Sequence, residues 1–83
     1  MVSEKDLLAR ITVRRDVFGG KPIIRDLRIS VEHILSMLAQ NESHAAILDD
    51  NPGLEPDNIL ACLAYAHAVV AHESLAEVGV VGG

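Results

Sequence analysis

The segment from about Pro56 to His72 most constrains the fold, because as a helix it is apolar on nearly every side. One face carries Ile59, Leu63, Ala66 and Val70, and the neighbouring positions carry Leu60, Cys62, Tyr65 and Val69. A helix with so narrow a polar face is usually buried on more than one side. Because the chain has only 83 residues, we expect the β segment that precedes the helices, or a second copy of the chain, to supply the remaining cover.

Two shorter helices are predicted before this one. Ser30 is a good N-cap, and apolar residues follow it at positions i, i+3, i+4 and i+7, which predicts a helix over about Val31–Ala39. Ser43 caps the second helix, which the Asn-Pro-Gly run at 51–53 ends. Proline restricts the residue before it, and glycine permits a sharp turn. Pro56 suits the first turn of the long helix.

The N-terminal part of the chain is predicted to be extended. Residues 11–13 form a short β-favouring run, and two glycines mark a turn after it. The β-branched runs at 21–25 and 28–30 are separated by two residues, which predicts a hairpin. Asp26 tolerates positive φ at that turn. Pro22 must lie at the beginning of its strand or on a sheet edge, because it has no N–H to donate.

These patterns predict a single domain over residues 1–83, mainly α with a short N-terminal β segment. Residues 11–30 form a β-hairpin or strand segment, and residues 31–72 form a three-helix, homeodomain-like helix-turn-helix bundle. Residues 74–83 carry no helical signal and are expected to be a loose tail. No apolar run approaches the ~20 residues of a membrane span, and no leader is recognisable, so a cytoplasmic protein is expected.

Positive and negative charges are segregated along the chain. The first 28 residues hold all seven lysines and arginines and only four acids, whereas the rest holds eight acids and no lysine or arginine. A charge split between halves indicates nucleic-acid or charged-protein partners. The alternatives are that a small number of charges clustered by chance, or that the two halves attract each other within the fold.

No constellation of residues indicates catalysis or metal binding. His67 and His72 are five positions apart, on different faces of one helix, and the other two histidines lie in separate helices. Cys62 lies among alanine and leucine, where a thiol pKa is raised, and no histidine is close enough to activate it. The run at 19–21 lacks the glycine loop that cradles phosphates. We expect no enzyme, metal, cofactor or small-molecule substrate.

The helix order is that of DNA-binding modules that read bases with the start of the last helix. Glu55 and Asp57 lie there and would repel phosphates, and only Asn58 has an amide that can pair with adenine. We therefore expect the arginines of the β segment to contact DNA, on a surface that a symmetric dimer would double. The candidate DNA-contacting residues are Arg14, Arg15, Lys21, Arg25, Arg28 and Asn58. The alternative is that the arginines pair with the acidic helices.

Two motifs resemble those of a known family. The first is Gly19-Gly20-Lys21-Pro22-Ile23-Ile24-Arg25 followed by Arg28-Ile29-Ser30-Val31-Glu32, and the second is Asn51-Pro52-Gly53-Leu54 followed by residues 59–66, which end in Leu63-Ala64-Tyr65-Ala66. In this order they resemble the family catalogued as domain of unknown function 433, over about residues 11–72. The chain departs from the pattern at Asp26 and Leu27, where the family usually has glycine and threonine, and at Glu55, where it usually has a threonine cap.

The resemblance implies a small helix-turn-helix domain with N-terminal strands. Many members are thought to be antitoxins of type II toxin–antitoxin pairs, which mask a nuclease-like toxin of the PIN superfamily type and repress their own operon as dimers. The first expectation is therefore a homodimeric antitoxin that also binds operator DNA. The second is a homo-oligomeric interaction module without a DNA-binding role. The resemblance implies no catalytic residues.

Overall fold

The computed structural model describes residues 2–72. They form α1 (Glu4–Leu8), β1 (Ile11–Val13), a 3₁₀ turn (Phe18–Gly20), β2 (Pro22–Ile24), α2 (Val31–Ala39), α3 (His44–Asp50) and α4 (Pro56–His72). The protein is thus mainly helical with a short two-stranded antiparallel sheet near the N-terminus, which confirms the coarse fold class. The predicted tail at 74–83 lies outside the described residues.

Serine caps begin the first three helices. The Oγ atom of Ser3 accepts the Asp6 N–H at 3.2 Å, that of Ser30 accepts the His33 N–H at 3.0 Å, and that of Ser43 accepts the Ala46 N–H at 3.1 Å. The side chain of each cap thereby satisfies one of the N–H groups that a helix start leaves unpaired. The predicted bounds of α2 and α4 and the predicted cap of α3 are confirmed.

The helix α1 was not predicted. It has only 5 residues, and a helix this short is not stable through its own propensity. It forms because α4 provides a surface on which it packs, and β1 also contacts α4. The contact of β1 with α4 confirms the cover expected from the β segment, whereas the cover by α1 was not expected.

The sheet pairs β1 with β2 in antiparallel register. Thr12 lies opposite Ile23, and Val13 lies opposite Pro22. The Arg25 N–H donates to the Arg10 carbonyl at 2.7 Å, and hydrogen-bonded pairs alternate along such a ladder. The missing N–H of Pro22 therefore faces away from β1, which explains why proline is tolerated at the start of this strand.

The predicted two-residue hairpin after β2 is wrong. Pairing between residues 21–25 and 28–30 is limited to one bridge, between Ile23 and Ser30. The Ile24 N–H donates to the Ile29 carbonyl at 3.0 Å, so four residues, 25–28, form the loop. Asp26 in this loop has a φ of 68°, as expected for its tolerance of positive φ, while β2 takes β1 as its ladder partner.

The core lies where the sheet, α2, α3 and α4 meet. Its fully buried large side chains are Ile24, Ile34, Ile47, Ile59 and Cys62. The predicted apolar face of α4 is divided: Ile59 is fully buried, whereas Leu63 and Val70 are 41% and 72% exposed. Within residues 2–72, no helix is long and apolar enough to cross a membrane.

Candidate nucleic-acid interface

Three of the predicted DNA-contacting arginines surround one concave surface. Arg14 follows β1, while Arg25 and Arg28 are the first and last residues of the loop after β2, and all three line a concavity of about 330 Å³. The remaining lining residues are Thr12, Val17, Ile23, Asp26 and Leu27. We call this concavity the arginine pocket.

The sheet register places two of these arginines on one face. Side chains alternate between the two faces of a strand, and residues directly opposite each other share a face. Thr12 and Ile23 are such a pair. Period-two alternation beyond them puts Arg14 and Arg25 on that face, at opposite ends of the paired segment, and the loop after β2 ends in Arg28.

The arginines of the pocket are only weakly neutralised by the chain itself. Arg14 pairs with Asp16 at 3.5 Å, and Arg25 pairs with Asp26 at 3.9 Å; all four side chains are more than 60% exposed. Exposed ion pairs between sequence neighbours contribute little energy and are screened by salt. Arg28 makes no ion pair within residues 2–72, and neither does Arg15, which lies outside the pocket.

Lys21 lies outside the arginine pocket and is paired with α2. Its Nζ atom is 2.8 Å from Oε1 of Glu32. The hydrogen bond and positive charge of Lys21 lower the pKa of Glu32 below its ordinary value of 4.5. Of the predicted cations, Lys21 therefore has the shortest ion pair and is the least available to a partner.

Asn58 has a structural role. It is 5% exposed, and its Oδ1 atom accepts the backbone N–H of Glu55 at 2.7 Å. This is the backward half of a capping box, in which the third residue of a helix caps the residue before the first. A buried amide that is already bonded cannot reach a base edge, so Asn58 does not belong to the interface.

Arg10 was not among the predicted interface residues. Its guanidinium lies 3.0 Å from Oε1 of Glu55 and 3.7 Å from Oδ2 of Asp57, at the start of α4. The contact spans 45 positions of sequence in the case of Glu55, so no local pattern indicates it. Arg10 offsets the negative charge that α4 would present to a nucleic acid.

A larger cleft of about 560 Å³ lies next to the arginine pocket. Arg25, Asp26 and Leu27 line both concavities. The charged residues that line the cleft are Asp6, Arg10, Arg25, Asp26, Glu55 and Asp57. Four carboxylates against two guanidiniums make this cleft unfavourable for an anion.

The remaining reactive side chains do not form a site with these residues. Burial raises the pKa of the Cys62 thiol to about 12, which confirms the apolar setting expected for it. His67 lies 3.8 Å from a carboxylate oxygen of Glu4, on the exposed side of α4. Across the described part of the chain, no three histidine, cysteine or acidic side chains converge as metal ligands would.

Comparison with known proteins gives one match. The sequence profile of the family described as "Protein of unknown function (DUF433)" matches residues 11–66, which include β1, β2, all of α2 and α3 and the first part of α4. No curated protein and no solved structure matches the chain.

Proposed function

We propose a function from the premise that this chain belongs to the DUF433 family, as the match over residues 11–66 shows. The proposed function is that of an antitoxin-like protein: a homodimer that binds and neutralises a nuclease-like toxin of the PIN type and binds operator DNA to repress its own operon. The observation that carries the DNA-binding half is the convergence of Arg14, Arg25 and Arg28 on one concave surface.

In the proposed DNA-binding role, the β segment makes the contact with DNA. The order of α2, α3 and α4 supports a helix-turn-helix-like bundle, but the start of α4 carries carboxylates and the buried Asn58. Guanidinium groups match the geometry of phosphate oxygens, and much of the affinity for DNA comes from such contacts. The proposed contact residues are therefore Arg14, Arg15, Arg25 and Arg28. Lys21 contributes less, because it is paired with Glu32.

In the proposed protein-binding role, the helices contact the partner proteins. Asp49 and Asp50 at the end of α3 are exposed, and an acidic surface suits a basic nuclease by charge complementarity. The exposed apolar side chains of α4 suit a contact with a second copy of the chain. These side chains are Leu60, Leu63, Val69 and Val70.

A mobility-shift experiment on the protein's own promoter tests the DNA-binding half. We expect a shift at low salt, and the logarithm of the affinity should fall with the logarithm of salt concentration by about 0.9 per phosphate contacted. The double variant Arg14→Ala/Arg15→Ala should weaken binding to all sequences alike, because phosphates carry no sequence information. Absence of a shift by the wild-type protein at low salt would remove the repressor role.

Co-expression tests the antitoxin half. The product of the adjoining reading frame should be a small nuclease-like protein that arrests growth alone and is neutralised by this chain. The two proteins should co-purify as a complex. If the wild-type chain neither binds that product nor restores growth, the antitoxin assignment fails while DNA binding is unaffected.

A second candidate is a homo-oligomeric interaction module without a DNA-binding role. The observation that favours it is that several cations are already paired with acids of their own chain. These cations are Arg10, Arg14, Lys21 and Arg25. A stable dimer by light scattering together with no DNA binding at low salt would select this function over the first.

A further inference from the structure

We propose that the arginine pocket is a phosphate-binding site that holds a backbone phosphate group of a nucleic acid. The inference rests on the proposed DNA-binding function and deepens it. It states that the contact at this pocket is to the sugar–phosphate backbone and not to base edges, so that the pocket positions the protein on DNA without reading sequence.

The charge of the pocket requires an anion. Its lining contains three guanidiniums, those of Arg14, Arg25 and Arg28, and one carboxylate, that of Asp26. The only pairing across this lining joins Arg25 and Asp26 at 3.9 Å, and the two side chains are 61% and 89% exposed. Arg14 is paired at 3.5 Å with Asp16, which does not line the pocket, and Arg28 makes no ion pair within residues 2–72. Guanidinium groups can hold phosphate oxygens with two parallel hydrogen bonds.

Apolar residues of the lining strengthen this attraction. Val17 and Ile23 line the pocket and are only 4% and 3% exposed, so part of its lining is buried apolar material. Charges interact more strongly beside low-dielectric material than in bulk water. Thr12, whose hydroxyl group can donate a hydrogen bond, also lines the pocket.

The shape of the pocket selects phosphate over base edges. Base edges lie at the bottom of a groove and are read by an element that protrudes into it, such as a helix or a β-ribbon. Phosphate groups instead protrude from the duplex, so a concave surface can receive them. A volume of about 330 Å³ suits one such group with its neighbouring sugar atoms.

The adjacent cleft can be compared with the arginine pocket as a site for an anion. It also contains two guanidiniums, but its four carboxylates give it the opposite net charge. A phosphate group should therefore occupy the arginine pocket and avoid the cleft. Arg28 lines the arginine pocket but not the cleft, so a substitution of Arg28 separates the two sites experimentally.

The test compares Arg28→Gln with Lys5→Gln, because Lys5 lies in α1 and is not one of the proposed contact residues. Both side chains are exposed, both substitutions remove one positive charge, and neither residue makes an ion pair within residues 2–72. Only Arg28 lines the pocket. Fluorescence anisotropy over a range of salt concentrations would measure the affinity of each variant for a promoter duplex and for a duplex of unrelated sequence.

We expect Arg28→Gln to weaken the binding to both duplexes by the same factor, roughly tenfold. It should also reduce the slope of log affinity against log salt concentration by about 1. Lys5→Gln should have a clearly smaller effect. Equal losses of affinity for the two variants would overturn the assignment of the pocket as a phosphate-binding site while leaving the DNA-binding function intact. A loss confined to the promoter duplex would also overturn it, because it would show base readout. Arg14→Gln provides a second pocket variant should Arg28→Gln fold poorly.

Titration with inorganic phosphate and with a mononucleotide, followed by NMR shifts of Thr12 and Arg28, distinguishes the source of the phosphate. Stronger binding of duplexes than of either small anion, at the same residues, supports the nucleic-acid assignment. Binding of the small anions without binding of either duplex would overturn that assignment and the DNA-binding function together, and would identify a free phosphorylated molecule as the ligand.

Discussion

The backbone at Asp26 has a φ of 68°, in the left-handed region that most side chains avoid. Aspartate is tolerated there because its short side chain can hydrogen-bond locally. This explains how the chain forms the loop after β2 without the glycine that the family pattern usually places at this position.

Substitutions at Asp26 should reveal this strain. Asp26→Gly should leave the free energy of unfolding unchanged or raise it by up to about 1 kcal/mol, whereas Asp26→Val should lower it by about 1–2 kcal/mol, because a β-branched side chain clashes at positive φ. Urea denaturation followed by circular dichroism would measure both. Equal stability of the two variants would contradict a strained backbone at this residue.

The ion pair between Lys21 and Glu32 gives a prediction about pH. The pKa of Glu32 is lowered below 4.5 in the folded state, so the folded protein binds this proton more weakly than the unfolded chain. The pair therefore stabilises the protein above about pH 4.5, and this contribution is lost as pH falls through the lowered pKa. Glu32→Gln should reduce the loss of stability on acidification.

A matched background controls this experiment. In a Lys21→Gln variant, Glu32→Gln should change the pH dependence much less, because the cause of the lowered pKa is gone. Urea denaturation at several pH values would give the four free energies of the double-mutant cycle. An unchanged effect of Glu32→Gln in that background would show that Lys21 is not the cause.

At the scale of elements, helix caps determine where the helices begin. Ser30 is both the cap of α2 and the residue that bridges to Ile23 of β2. The same residue therefore begins α2 and pairs with the edge of β2 that does not face β1. The exposed Ser36 lies inside the same helix; its Oγ atom accepts an exposed side-chain hydrogen bond from Nε2 of Gln40 at 3.1 Å and caps no backbone N–H.

The caps can be tested within one helix. Ser30→Ala should lower the free energy of unfolding by about 1 kcal/mol, because the His33 N–H loses its acceptor. Ser36→Ala should have little effect or a small stabilising one, since alanine has the higher helix propensity. Thermal and urea denaturation would measure both. A loss for Ser36→Ala as large as that for Ser30→Ala would contradict the capping role.

At the scale of the whole molecule, α4 has a covered side and an open side. The sheet, α1, α2 and α3 all contact it, yet Leu60 and Leu63 are 42% and 41% exposed. Adjacent exposed apolar side chains on one helix face are typical of a surface that meets another protein. This is the basis for the proposed dimer.

Light scattering tests the dimer directly. The wild-type protein should have a mass of twice the 8.9 kDa of one chain, and Leu60→Gln/Leu63→Gln should reduce the mass to that of the monomer without loss of helix content. Val13→Thr removes an exposed apolar group from the sheet and should leave the dimer unchanged. A wild-type mass near 8.9 kDa would exclude the proposed dimer.

Local signals predicted much of the fold. Ser30, Ser43 and Pro56 mark the starts of three helices, and the apolar periodicity after Ser30 gives the extent of α2. The candidate interface was predicted in part, since Arg14, Arg25 and Arg28 were chosen from charge alone and lie around one pocket. The burial of Asn58 was not predicted, because an amide at a helix start can equally point outward or cap the chain.

The amino-acid sequence by itself determined α2, α3 and α4, the glycine and proline turns and the segregation of charge, because these depend on residues within a few positions of one another. Only the tertiary structure decided which strand pairs with β2, why α1 forms, which side of α4 stays open and which acids Arg10 meets. Those outcomes depend on contacts between residues far apart in sequence, and their energies exist only once the core has brought the segments together.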